Sequence, residues 1–283
     1  MPDNNNGITE DVSIDVPTAL VITSFVVIAL YNVIELNFII FATFKTRRGL
    51  YFFSFIVATW GIGPYAISPL LKYLRVTSES LIYVTLAVIG WCCMVTGQSV
   101  VLYSRLHFVL WDVARLRLVL AMIIVDAVIC HIPVIVMVYG ANSSNPGPFV
   151  SATSIYEKVQ VTIFFIQELI ISGLYIYETI KLFRPEVELR GKTARHMTNH
   201  LLYVNAFIII LDITILGLEY SGRYSIQTSY KAFVYSIKLK LEFNILNGLV
   251  DLAQSTGKDL VQQSHPISTE TCPERLTTKE SAH

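Results

Sequence analysis

The chain has 283 residues, of which 53% are hydrophobic and only 15% are charged, and its formal net charge is zero. A soluble domain carries about 25% charged residues, and one as apolar as this would expose surface that it could not keep in solution. The composition excludes an ordinary soluble domain, gives no indication of nucleic-acid binding, and predicts a polytopic membrane protein.

The first 16 residues are polar and acidic, and they lack the basic start of a cleavable signal peptide. We therefore expect the first apolar segment to be the targeting signal. Of the four cysteines, Cys92, Cys93 and Cys130 lie in apolar runs and Cys272 lies in the polar tail. None falls in a candidate outer loop, so an external disulfide framework is not expected.

Six apolar runs have the roughly 20 residues that a helix needs to cross a bilayer. They cover residues 17–44, 50–71, 81–106, 117–139, 157–182 and 199–219. Pro64 and Pro69 are expected to bend the second span and Pro133 the fourth, and Pro185 is expected to end the fifth.

A seventh stretch, residues 226–251, is long enough to cross but contains Lys238, Lys240 and Glu242. A lysine at the centre of a spanning helix costs about 3 kcal/mol, so this segment is a poor span by itself. The alternative is an amphipathic helix lying on the surface, but the alternation of charges does not leave one clean apolar face. We favour a seventh crossing. The prediction is an all-α bundle of seven transmembrane helices over residues 17–252, with a short extracellular tail (1–16) and a disordered cytoplasmic tail (253–283).

Lysine and arginine concentrate in the loops on the cytoplasmic side of membrane proteins. The basic residues gather after the first, third and fifth spans: Lys45, Arg47, Arg48, Arg105, Arg115, Arg117, Lys181, Arg184, Arg190, Lys192 and Arg195. The opposite side is thinly charged, with residues such as Lys231. This pattern predicts an outside N-terminus and a cytoplasmic C-terminus. Asn142 then begins a glycosylation sequon, Asn142-Ser143-Ser144, on the outer side.

Ionisable residues within membrane spans are candidates for function. Here the candidates for ligand or ion binding are Glu35, Asp126, Glu168, Asp212 and Lys238. Estimated depths place Glu168, Asp212 and Lys238 at one level on three successive spans, which predicts an ion cluster of Lys238 with Asp212 or Glu168. A purely structural pair of Lys238 with Glu242, four residues along the same helix, is the alternative, and the sequence leaves both open.

Three segments carry a resemblance: "GQSVVLYSRLHFVL" (residues 97–110), "QVTIFFIQELIISGLYIYE" and "KLKLEFNILNGLV". Together they resemble a family of seven-helix integral membrane proteins of filamentous ascomycetes that carries only a domain-of-unknown-function label. The resemblance covers about residues 17–252 and implies seven crossings but no reaction. "YSRLH" is also similar to the inner end of the third span in fungal rhodopsin-like membrane proteins, and Arg105 corresponds there to the arginine of G-protein-coupled receptors. Ser104 replaces the acid that precedes that arginine, so the receptor similarity is one of topology.

Two functions of different classes follow. The first is a receptor-like protein, in the plasma membrane, that senses a small ligand and couples through Arg105 to a cytoplasmic signalling protein. An ordinary arginine whose charged head reaches the interface is the plainer interpretation of Arg105 alone. The second is a transporter or a proton-conducting or ion-conducting bundle that uses the five candidate residues as a relay, although an odd number of helices without visible repeats argues mildly against it.

Two further interpretations have weaker support. His196 and His200 are four residues apart, a spacing that can hold a metal in a membrane hydrolase, but "HMTNH" lacks the glutamate of the zinc-protease motif. Lys238 could carry a retinal Schiff base, with Asp212 as counter-ion, but the third span has no carboxylate. We expect no catalytic residue, no metal and no cofactor.

Overall fold

The computed structural model describes residues 15–43, 49–73, 80–142, 147–190, 192–222 and 224–263. The described part of the chain forms seven α-helices. They are α1 (Val16–Thr43), α2 (Leu50–Tyr73), α3 (Ser80–Val109), α4 (Val113–Ala141), α5 (Gly147–Arg190), α6 (Lys192–Tyr220) and α7 (Tyr224–Gln263). The predicted all-α class is confirmed.

Six of these helices, α1 to α6, are long and apolar enough to cross a membrane. In lipid a helix satisfies every backbone hydrogen bond within its own segment, which is why long apolar runs of this kind form helices. The seventh predicted span also folds as a helix, but α7 contains too many charged residues to meet the same criterion of composition.

Two helix ends differ from the sequence-based expectation. Pro185 does not end α5, which continues to Arg190. A proline removes one hydrogen bond to the preceding turn but leaves the bonds on either side available, so a helix can pass through it. Similarly, α7 continues to Gln263 and includes the first part of the segment for which the sequence predicts a disordered tail. The rest of that tail, 264–283, lies outside the described residues, as do residues 1–14.

Contacts between side chains show that successive helices are antiparallel. Thr85 contacts Tyr139 and Thr96 contacts His131 between α3 and α4, and Lys231 contacts Glu219 between α7 and α6. The bundle therefore has two ends. We call the end where α2, α4 and α6 finish the Asn142 end, and the opposite end the Arg105 end.

The helices form a closed ring in which each packs against the next and α7 packs against α1. Two helices also make contacts across the ring: α3 packs against α5 and α7, and α7 packs against α2. In contrast, within the described residues α4 packs only against α3 and α5. Thus α3 and α7 are the central helices, and α7 is covered by protein although its sequence is the least hydrophobic of the seven.

The closest helix contact is between α2 and α3. A Cβ atom added to Gly61 would lie 2.5 Å from the backbone nitrogen of Met94, and one added to Gly90 would lie 2.5 Å from that of Tyr65. Gly97 approaches Ala58 in the same way. Small residues let helix backbones approach closely in membranes, where dispersion contacts replace the hydrophobic effect as the force that holds helices together.

The outer surface of the bundle is apolar. Large hydrophobic side chains are exposed along the lipid-facing sides of the helices, for example Leu118, Ile124 and Val136 on α4 and Phe38 on α1. Such a continuous surface is unfavourable in water and favourable against acyl chains. The protein is therefore suited to a lipid bilayer as a multi-pass membrane protein.

Candidate functional site

Three helices contribute one charged residue each to an ion cluster at the centre of the bundle. The Lys238 Nζ atom of α7 lies 2.5 Å from the Asp212 Oδ1 atom of α6, and it also donates a hydrogen bond to the Glu168 Oε2 atom of α5. We call Glu168, Asp212 and Lys238 the central triad. The side chain of Lys238 is 0% exposed, and those of the two acids are almost fully buried.

The central triad spans a gap between helices. The Cα atoms of α5 and α7 nowhere come within 8 Å of each other in the described ranges, so the long side chains of Glu168 and Lys238 bridge the two helices. The Tyr235 ring lies 4.7 Å from the Lys238 Nζ atom and covers the ammonium on one side. An unpaired charge in such a place would cost several kcal/mol, so the pairing is what allows a lysine to lie inside this bundle.

A second buried ion pair lies toward the Arg105 end. The Arg105 Nη1 atom is 2.6 Å from the Glu242 Oε2 atom, and both side chains are 0% exposed. The Arg105 Nη2 atom donates to the Asn205 Oδ1 atom at 2.9 Å, and the guanidinium lies 4.1 Å from the centre of the Tyr175 ring. We call Arg105, Tyr175, Asn205 and Glu242 the Arg105 cluster; it joins α3, α5, α6 and α7.

This cluster corrects two expectations. Arg105 is not an interfacial arginine with its head in water, since α3 continues to Val109 and the guanidinium is enclosed by three other helices. Glu242 does not provide local support for Lys238, because its carboxylate pairs with Arg105 instead. The intrahelical pair that the sequence left open is therefore replaced by two separate interhelical pairs.

A third charged group lies toward the Asn142 end. The Lys231 Nζ atom of α7 is 2.6 Å from the Glu219 Oε2 atom of α6, and both side chains are buried. Gln227 donates a hydrogen bond to the same carboxylate oxygen. Glu157 of α5 lies close enough to Lys231 and Glu219 for their charges to interact. We call Glu157, Glu219 and Lys231 the cavity triad.

Glu157 and Lys231 of the cavity triad border a cavity of about 120 Å³ between α2, α3, α4, α5 and α7. Its wall contains the aromatic residues Tyr65, Tyr83 and Trp91, the polar residues Cys92, His131 and Gln160, and both Glu157 and Lys231. The Lys231 Nζ atom lies 5.0 Å from the centre of the Trp91 ring. This space has room for several water molecules or a small organic molecule.

A smaller pocket of about 20 Å³ lies deeper in the bundle. Its wall includes both acids of the central triad, Glu168 and Asp212, and it shares Trp91 and Val161 with the wall of the larger cavity. The two spaces therefore meet at these two side chains. The central triad is one layer of side chains away from the cavity.

The two triads have the same composition and come from the same three helices. Each contains one lysine from α7, one acid from α5 and one acid from α6. The lysines are 7 residues apart, as are the acids of α6, and the acids of α5 are 11 residues apart. Seven and eleven residues are close to two and three turns of helix, so each set stays on one face of its helix.

The remaining candidates from the sequence lie apart from the triads. The Lys240 Nζ atom is 2.5 Å from the Glu35 Oε2 atom, and this pair between α7 and α1 is partly exposed, at 26% and 38%. Asp126 is half-buried on α4 and forms no ion pair among the described residues. Asn142 caps the end of α4, and its side-chain amide donates to the Val138 carbonyl at 2.8 Å. The other two residues of its sequon lie outside the described residues.

The residues of the two weaker interpretations lie in different parts of the fold. His200 is exposed at the start of α6, the side chain of His196 lies outside the described residues, and the described part of the chain contains no group of three His, Cys, Asp or Glu side chains that could hold a metal. The pocket of about 20 Å³ that Glu168 and Asp212 border is far too small for a retinal.

Sequence reasoning missed the cavity triad. The sequence places Lys231 among the thinly spread charges of the outer side, but it lies inside α7 and is buried. The signal in the sequence was the repeated spacing. Lys231 lies 7 residues before Lys238, and Glu219 lies 7 residues after Asp212. Asn205, which binds Arg105, gave no such signal, because a lone asparagine in an apolar helix is compatible with many neighbours.

The fold and these sites define a polytopic helical membrane protein with a polar, ion-paired interior beside an internal cavity. The chain belongs to a family described as a domain of unknown function, DUF7703, whose pattern matches residues 9–260. No curated protein and no solved structure matches the chain.

Proposed function

We propose that this protein is receptor-like: it binds a small ligand in the cavity at the Asn142 end and transmits the binding event along α7 to the Arg105 cluster. The observation that carries the proposal is that Lys231, on the central helix α7, forms part of the cavity wall and is held there by an ion pair. A ligand that competes for Glu157, Glu219 or Lys231 would change forces on α7 directly.

The rest of α7 supports the transmission. Lys238 and Glu242 follow Lys231 along the same helix; Lys238 is paired with acids of α5 and α6, and Glu242 is paired with Arg105 of α3. A small movement of α7 would therefore act on α5, α6 and α3 together. Packed interfaces of this kind tend to have discrete arrangements rather than to deform continuously.

The number of crossings and the orientation of the helices in the membrane are part of the same proposal. Seven crossings with the Asn142 end outside would open the cavity to the outer side, and the Arg105 end would face the cytoplasm and a signalling protein there. A location in the plasma membrane, a glycan on Asn142 and a relation to fungal rhodopsin-like membrane proteins are consistent with this arrangement and are proposed with it.

The ligand class follows from the wall of the cavity. Aromatic residues and aliphatic residues such as Val84 and Val134 alternate with a few polar groups, a mixture typical of sites for small organic molecules. The neighbouring lysine and glutamate indicate that the ligand carries a polar or charged group at one end.

Two adjacent cysteines provide the test. Cys92 is part of the cavity wall, whereas Cys93 faces Gly61 on α2 and is not; both are half-buried. Single-cysteine variants, each with the other three cysteines replaced by alanine, are reacted with a membrane-impermeant maleimide. We expect Cys92 to react faster than Cys93, and only from the outer side.

Compounds from a small-molecule library that raise the melting temperature of the purified protein should also slow the labelling of Cys92. Ala87, another residue of the cavity wall, offers a matched control: Ala87→Leu would fill part of the cavity and should abolish both effects. Equal labelling of the two cysteines, or compounds whose effects survive Ala87→Leu, would contradict a ligand site in this cavity.

The stacked triads favour a second candidate function, a proton-conducting or ion-conducting bundle. Two acid–lysine triads on the same three helices give a polar route from the cavity toward the Arg105 cluster. Proton or sodium flux into liposomes that contain the purified protein would support conduction, and its absence together with ligand binding would favour the receptor.

A further inference from the structure

The charges of the central triad do not balance. Glu168 and Asp212 supply two carboxylates and Lys238 supplies one ammonium, so the triad has a net charge of −1 when all three are ionised. A net charge enclosed by protein costs several kcal/mol unless it is neutralised. The same count for the Arg105 cluster gives zero, because one guanidinium meets one carboxylate.

Among the described residues, no other cation balances the central triad. Three sets of charged or titratable groups lie near the triad. Tyr235 is on α7, and Glu242 of α7 is paired with Arg105 of α3. His131 is on α4 and lies behind the Phe164 ring. Tyr235 is neutral, the Arg105–Glu242 pair is neutral as a unit, and the imidazole of His131 bonds to Thr96. Lys240, the next cation along α7, is paired with Glu35 on the side facing α1.

The two carboxylates are close together. Both contact the same Nζ atom, so the contacting oxygens lie within about 5 Å of each other, a separation at which two buried carboxylates do not readily stay ionised together. One oxygen of this group, Glu168 Oε1, is buried and has no hydrogen-bond partner. An ionised carboxylate oxygen in that position would be strongly unfavourable.

A pocket that can hold water lies beside this carboxylate. The pocket of about 20 Å³ is bordered by Glu168 and Asp212 and has room for one water molecule. Trp91 and Val161 separate it from the larger cavity, so a rotation of one of these side chains would join the two spaces.

We propose that the central triad is a proton-binding site, in which Glu168 and Asp212 share one proton that is exchanged with water from the cavity. In the uptake step a carboxylate oxygen forms a new O–H bond while a hydronium O–H bond breaks and leaves a water molecule. The triad is then neutral, with one carboxylic acid, one carboxylate and one ammonium. This site does not depend on the proposed ligand, since it rests on the charge count and on the geometry of α5, α6 and α7.

Infrared spectroscopy tests the proposal, because a protonated carboxylic acid has a C=O stretching band that an ionised carboxylate lacks. The probe is the proton itself, and the sample is the full chain in lipid nanodiscs near neutral pH. We expect a protonated-acid band from the central triad in the unmodified protein, and the loss of this band in Glu168→Gln and in Asp212→Asn, since either change leaves a single carboxylate balanced by Lys238. The band should also decrease as the pH is raised.

The double variant Asp126→Asn/Glu157→Gln is the matched control, because it removes the two other half-buried acids that form no ion pair among the described residues and leaves the central triad complete. The band should persist in it. A protein without this band, or a band that is lost in the double variant and kept in Glu168→Gln and Asp212→Asn, overturns the proposal. Loss of the band when choline chloride is replaced by sodium chloride at constant pH would also overturn it, because the site would then hold sodium.

Discussion

Arg105 is among the largest side chains of the described residues that are fully enclosed, and its position makes a clear prediction at the scale of a single residue. Arg105→Met would leave the Glu242 carboxylate buried without a cation. Breaking a buried pair by removing one partner costs about 3–5 kcal/mol. We expect a fall of that order in the free energy of unfolding, measured by SDS titration of the purified protein in mixed micelles with circular dichroism as the signal.

Arg115 is the control for this change. Its side chain is 53% exposed and it pairs with Asp112 and Glu178 at 3.1 Å, so Arg115→Met should cost less than about 1 kcal/mol. The double variant Arg105→Met/Glu242→Leu should recover part of the stability that Arg105→Met loses, because no unpaired charge then stays buried. Equal effects of the two arginine variants would mean that Arg105 is not enclosed in the folded protein.

At the scale of the helix, the contact between α2 and α3 depends on the absence of side chains. Gly61→Ala would place a Cβ atom 2.5 Å from the backbone of Met94, which must force the helices apart. Overpacking of this kind costs about 1–3 kcal/mol, so we expect Gly61→Ala to lower the melting temperature of the purified protein.

Gly63 offers the same substitution two residues further along α2, with nothing within 4 Å of the added Cβ atom. Since alanine is the better helix former, Gly63→Ala should leave the melting temperature unchanged or raise it. If both variants behaved alike, the close approach of α2 and α3 would not exist.

For the whole molecule, the main prediction concerns α7. This helix is surrounded by α1, α2, α3 and α6, so its two ends emerge at opposite ends of the bundle. Single cysteines at Ser221 and Gln263 in a cysteine-free chain should therefore lie on opposite sides of the membrane. We expect an impermeant maleimide to label position 221 on intact cells and position 263 only after permeabilisation.

The opposite labelling pattern, with 263 reactive on intact cells and 221 protected, would reverse the orientation while keeping the seventh crossing. Labelling of both positions from the same side would mean that α7 does not cross. This second result would also remove the burial on which the central triad depends.

The sequence by itself determined the helical class, the six apolar spans and the residues that must be paired. Apolar runs of this length have only one way to satisfy their backbone in lipid, so their structure can be inferred without knowing their neighbours. For the same reason Lys238, Asp212 and Glu168 were recognisable as candidates for pairing, although the sequence left open a pair of Lys238 with Glu242.

Only the tertiary structure decided which charges meet and where the helices end. Glu242 is correctly spaced to pair with Lys238 along one helix, yet it pairs with Arg105, because the position of α3 beside α7 brings a guanidinium within 2.6 Å. Lys231 became an interior residue because α7 begins at Tyr224 and packs among other helices from its first turns. Interhelical distances are set by the packing of all seven helices together, and no local spacing in the sequence records them.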